Sequence, residues 1–128
     1  MRATQALLAA SDGKVERLAR TFHLGIDALE RAGAFIVERH AVNIHETAAV
    51  AVPFLLLFGK VAGAWQLARQ ALSAQRAMAA DSVGPAFLNA QIDMAVFYMG
   101  NLLPPAFGLA EVVAGGGSSV LAPDIEQF

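Results

Sequence analysis

The 128-residue chain contains no cysteine. That absence removes disulfides, thiolate metal ligands and a cysteine nucleophile together, and it is compatible with a reducing cytoplasm, the expected location. Charge is also scarce. Charged residues make up 16% of the chain and apolar ones 56%, where an ordinary soluble domain carries roughly 25% charged residues. Some apolar surface is therefore expected to be left for a neighbour. Nine basic residues are scattered among eleven acidic ones for a net charge of -2, which gives no basic face for a phosphate backbone or an anionic membrane. Nucleic-acid binding is not expected. No basic segment followed by an apolar one stands at Met1, so no secretory signal is supported. The apolar run at 47–59 stops at Lys60, and the one at 94–117 is interrupted by Asn101, Pro104, Pro105 and Glu111. Both fall short of the roughly 20 apolar residues that a membrane span needs, and buried helix explains them better.

Strand alternation is missing too, and helical periodicity fills its place. The length suits one domain, and folding should bury on the order of two-thirds of the surface of the unfolded chain. After a cap and break at Ser11, Asp12 and Gly13, the residues Val15, Leu18, Phe22, Leu29 and Ile36 recur at helical spacing, which predicts a helix to about His40. The piece RATQALLAA before it is helix-like but short. Asn43 and Glu46 form a capping-box-like start. Pro53 removes a backbone donor, so a kink or restart is expected near Val52. Beyond it, Phe54, Phe58, Val61, Trp65, Ala68 and Leu72 make one stripe of a helix ending near Ala80. A turn at 81–84 leads to Pro85, well placed at a first helical position. The next stripe runs Leu88, Ile92, Ala95, Met99, Leu102, Ala106, Leu109, Val113. Pro104 and Pro105 should bend that helix, and Gly115, Gly116 and Gly117 end it. Val120, Leu121, Ile125 and Phe128 are candidate anchors of the tail.

The expected fold is all-α, an up-down antiparallel bundle of three long helices plus a short fourth from the break at Pro53. Residues 1–12 read as a linker or the end of an upstream helix, 13–117 as the bundle domain and 118–128 as a tail.

Few residues offer chemistry. Gly59 and Gly63 stand four apart and present bare backbone on one face, so with Trp65 they mark close helix packing. His40 and His45, with Glu46 and His23, are the one set of metal-compatible donors, yet histidines five apart across a helix junction share no face. Cap and surface roles suit them better, and no metal site is assigned. Asp93, flanked by Ile92 and Met94, must face water or find a partner, and Arg69 or Arg76 on the preceding helix could supply it. A catalytic base there would lack a second titrating group nearby in sequence. The GGGSS run at 115–119 has neither the lysine nor the strand of a phosphate loop, so a helix stop and connector suffices. Trp65, Phe97 and Tyr98 could stack a base, but no basic groove accompanies them, and core packing is the default.

Two stretches, FLLLFGKVAGAWQLARQAL at 54–72 and FLNAQIDMAVFYMGNLLP at 87–104, carry a family resemblance through Gly59, Gly63, Trp65, Ala68 and the run from Phe97 to Pro104. The chain resembles the C-terminal helical domain of FAD-dependent acyl-CoA dehydrogenases, including relatives acting on methylmercaptopropionyl-CoA. The resemblance implies a parent enzyme in which a glutamate of an upstream helical domain removes the α-proton and a hydride passes from the β-carbon to the flavin. Neither that glutamate nor the flavin-binding strands lie in this sequence, so no catalytic or cofactor residue carries over. The implied role is a non-catalytic one: packing on upstream catalytic domains, subunit association as a homo-oligomer, or shaping the acyl-CoA site, with FAD held by the parent. The alternative is a free-standing helical interaction module. A small enzyme or metal protein built on Asp93 or the histidines ranks last.

Overall fold

The computed structural model describes residues 1–80 and 84–123, and among these the fold is all helix, with no strand. Its helices are α1 (Arg2–Ala9), α2 (Gly13–His40), α3 (Ile44–Ala49), α4 (Ala51–Ala79), α5 (Pro85–Phe97), a π-helical turn (Tyr98–Leu102), α6 (Pro105–Ala114) and α7 (Ser118–Leu121). Most of the turn expected at 81–84 lies outside the described residues, as do Ile125 and Phe128.

Local chemistry accounts for the breaks. Ser11 donates its hydroxyl to the Leu7 carbonyl at 2.8 Å and closes α1, while Gly13, at φ +59°, opens α2. The Asp12 carboxylate is drawn instead to the Gln75 amide at 2.6 Å, pinning the start of α2 to the end of α4. Asn43 caps α3 by accepting from the His45 N–H at 3.1 Å, and its amide reaches Glu46 at 3.4 Å. The restart expected near Val52 falls at Val50, which leaves the α-helical region at φ -102°, ψ 7°. Pro53 then stands in the first turn of α4, where backbone N–H groups have no intrahelical partner, so its missing donor costs little.

The core is shared by α2, α4, α5 and α6, with α4 packed against α1, α2, α5 and α6. From α2 come Val15, Leu18, Phe22 and Ile26. On α4 the buried residues are Leu57, Val61, Ala64, Ala68, Ala71, Leu72 and Ala74, and Phe58 is 48% exposed. The stripe is thus rotated from the one drawn through Phe54, Phe58 and Trp65. A small-residue face lets neighbouring backbones approach closely and leaves the large aromatics to its margins. By length and composition α4 is long and apolar enough to cross a membrane, and α5 with α6 passes as a pair bent by 45° at the proline break. Helices α1, α2, α5 and α6 pack on α4, yet only 22% of its most apolar window is buried, so core packing covers one face of it and leaves much of the apolar run uncovered.

The second stripe also shifts. It runs Leu88, Ile92, Ala95, Met99 and then Leu103, Ala106, Ala110, Val113, with Leu102 exposed. Ala106 and Val113 lie on both stripes, so the change is local: Leu103 and Ala110 take the inner positions drawn for Leu102 and Leu109, on either side of the π turn's end and the proline break. Gly115 ends α6, and Gly116 takes φ +71°. Val120 and Leu121 are exposed, so they do not anchor the tail.

Candidate functional site

The residues singled out by sequence come together only in part. Gly63 meets the π turn at Tyr98, whose hydroxyl donates to the Lys60 carbonyl at 3.1 Å. Burial pushes the Tyr98 phenol up from its usual pKa. Gly59 has open space where a Cβ would stand, so the pair does not act as one packing face. Trp65 serves a different contact, donating its indole N–H to the Thr4 hydroxyl at 2.9 Å and holding α1 on α4.

The ion pair expected between Arg69 and Asp93 is not made. Asp93 pairs with Lys14 of α2 at 2.5 Å, while Arg69 bonds Gln66 at 3.3 Å and lies 5.4 Å from the centre of the Trp65 ring. Arg69 and Arg76 both line a groove with Thr4 and Leu7, on the α1 side of α4. It is Gln70, a neighbour in sequence pointing elsewhere, that meets α5 through Gln91.

Sequence reasoning had no signal for the way residues 1–12 are used. Arg2 grips Glu30 through two nitrogens at 3.0 and 2.5 Å, and reaches Asp27 at 2.6 Å. His23 completes the cluster, 3.1 Å from Asp27 and 3.0 Å from Arg2. The Arg2 guanidinium holds both carboxyls below their usual range, and the two carboxylates in turn push Arg2 up. Partners some 25 residues apart in sequence obey no local spacing rule.

The histidines disperse. His40 sits 3.4 Å from Thr47, His45 engages Asn43 through its backbone, and His23 belongs to the Arg2 cluster. Among the described residues no group of three or more His, Asp or Glu side chains is placed to hold a metal ion. The glycine run does more than stop a helix. The N–H groups of Gly115 and Gly116 are spent on the carbonyls of Glu111 and Val113, and Gly117 is pressed on Ala49 and the Glu46 backbone of α3.

An open groove of about 460 Å³ lies between α2 and α5, lined by Lys14, Arg17, Leu18, Asp93, Val96 and Met99. Its Lys14 and Asp93 neutralise each other. A second, about 490 Å³, is lined by Ile36, His40, Ile44, Thr47, Phe54 and Leu55 at the α2–α4 end. Apolar side chains also stand uncovered outside the grooves. Val52, Leu55, Leu56 and Phe58 stand out from α4, and Phe87, Met94 and Phe97 from α5. What this arrangement offers is exposed apolar surface on α4 and α5, with few titratable groups brought together in either groove.

A family profile described as acetyl-CoA dehydrogenase C-terminal like matches residues 1–124. The chain belongs to the acetyl-CoA dehydrogenase C-terminal-like family. Comparison with curated proteins gives no match. The acetyl-CoA dehydrogenase C-terminal-like match begins at residue 1 and so takes in α1, with its Arg2 and Thr4 anchors, together with the bundle. Family membership also makes the residues behind the resemblance legible as geometry: Gly63 and Tyr98, from its two separate stretches, touch.

Proposed function

We propose that the chain is the non-catalytic C-terminal helical domain of an FAD-dependent acyl-CoA dehydrogenase of the cytoplasm, its long helices in up-down order. It packs on the upstream catalytic domains, supports subunit association and shapes the edge of the acyl-CoA site. The carrying observation is the family match over residues 1–124. Uncovered apolar faces on both α4 and α5 support it, because a domain that ends its folding with such faces exposed is built to be covered. The flavin and the base that abstracts the α-proton belong to the parent body in this reading.

The test is purification of the 128-residue chain followed by flavin absorbance and an acyl-CoA oxidation assay with an artificial electron acceptor. A colourless protein without turnover is expected. A yellow, flavin-loaded protein, or one that reduces the acceptor, would sink the reading.

A further inference from the structure

Helix α5 is apolar on two opposite faces. Its inner face is Leu88, Ile92 and Ala95, all buried. Its outer face is Phe87, Ala90, Met94 and Phe97, with Phe87 60%, Met94 51% and Phe97 59% exposed. A helix with one apolar face already buried and a second apolar face left outside is built to have that second face covered. The spacing says by what. The outer residues follow one another by three, four and three positions, the alternation of a coiled-coil seam. This order is the same read in either direction. A second α5 laid antiparallel would set Phe87 against Phe97 and small Ala90 against long, flexible Met94, so each layer pairs and the small residue makes room for the large one.

The margins of the stripe agree. On one side Asp93 is held by Lys14 at 2.5 Å, and on the other Gln91 is bonded to Gln70. Charges already matched within each copy let two identical faces meet without like-charge repulsion, and polar margins around an apolar centre are the anatomy of a protein contact. The outer face of α4 lacks this symmetry. It passes from Val52 and Leu55 through bare Gly59 to Gln66, Gln70 and Ser73, a one-ended patch suited to a different body.

We infer that two copies of this chain associate through an antiparallel pairing of α5 about a twofold axis near Ile92. The inference rests on the proposed reading for its association role alone, and the flavin assay that tests that reading does not bear on it. The contact spans roughly 15 Å of helix, which places it among small, concentration-dependent interfaces.

The experiment is sedimentation of the full 128-residue chain through the micromolar range, wild type beside Met94→Glu and Phe97→Glu. Both side chains are half exposed, so the variants should keep their helicity and melting temperature. Expected is a reversible dimer whose dissociation constant rises at least about thirty-fold in either variant. Because the chain has no cysteine, single introduced thiols report direction without background. Oxidising a mixture of Ala90→Cys and Met94→Cys chains should give more disulfide dimer than either alone. A wild type that stays monomeric overturns the inference, and so does a dimer indifferent to both glutamates. Like-with-like crosslinks exceeding mixed ones also overturn it, as does an outer face that binds neutral phospholipid vesicles while the chain remains a monomer.

Discussion

A Cβ placed on Gly63 would lie 2.5 Å from the Tyr98 hydroxyl and 3.0 Å from its ring carbon Cζ. The ring is held there because its hydroxyl donates to the Lys60 carbonyl at 3.1 Å, one turn before Gly63 on the same helix. Glycine is thus what allows α4 to receive the first residue of the π turn. Gly63→Ala must push the ring aside and break that bond, at a cost of about 1–3 kcal/mol. Tyr98→Phe alone should cost about 1 kcal/mol. Removing the hydroxyl also removes the nearest clash, so the alanine should cost less in the Tyr98→Phe background. A double-mutant cycle by urea unfolding checks this, and strict additivity would contradict the contact.

The glycines at the end of α6 should separate by position. Gly117 leaves a Cβ only 2.6 Å from that of Ala49 and 2.9 Å from the Glu46 carbonyl, and backbone cannot swing away. Gly117→Ala is expected to cost about 1–3 kcal/mol by prying α7 from α3. At Gly115 the same methyl would meet nothing closer than 3.4 Å, at φ -67°. Gly115→Ala should therefore be near neutral, within about 0.5 kcal/mol. Thermal melts of the two variants decide it.

Leu102 and Leu103 test the register. Leu103 is fully buried and Leu102 is 43% exposed. Leu103→Ala should cost about 2–5 kcal/mol and Leu102→Ala about 0.5 kcal/mol or less. Equal losses in denaturant unfolding would mean that Leu103 is not the core residue of the pair.

That pair also shows how far the sequence could be read. Element identity was legible, because caps at Asn43 and Pro85, the glycine stop and helical periodicity act within a few residues of one another. Faces were legible only while the helix stayed regular. A stripe drawn at strictly alternating three and four positions holds through Met99, misses at Leu102 and Leu109 and meets the core again at Ala106 and Val113, because two successive steps of four, from Ala95 through Met99 to Leu103, replace the alternation. On α4 the two candidate stripes share Val61, Ala68 and Leu72, and choosing Phe58 over Leu57 followed aromatic side-chain size where packing had placed small and aliphatic residues. Partners far apart in sequence, Lys14 with Asp93 and Arg2 with Asp27 and Glu30, depend on how the helices are placed. The resemblance was carried by residues that include Gly63 and Tyr98, which one contact brings together.

The docking of α1 should depend on acid. Arg2 lowers the pKa of both Asp27 and Glu30 in the folded chain, so their contribution is present above the ordinary carboxylate range, near pH 4. Below it the unfolded or undocked chain takes up protons more readily, and the contribution is lost as pH falls through the depressed folded values. The reporter is built in, because Trp65, the one tryptophan in the chain, donates its indole N–H to Thr4 of α1. Tryptophan emission should shift below about pH 4 before the far-ultraviolet helical signal falls, and added salt should blunt the effect, since these groups are open to solvent. Arg2→Gln removes the cation while leaving Leu8 in the core. Its emission at neutral pH should already approach that of the acidified wild type, and its further change on acidification should be smaller. An Arg2→Gln protein with an unaltered acid transition would assign that transition to other carboxylates.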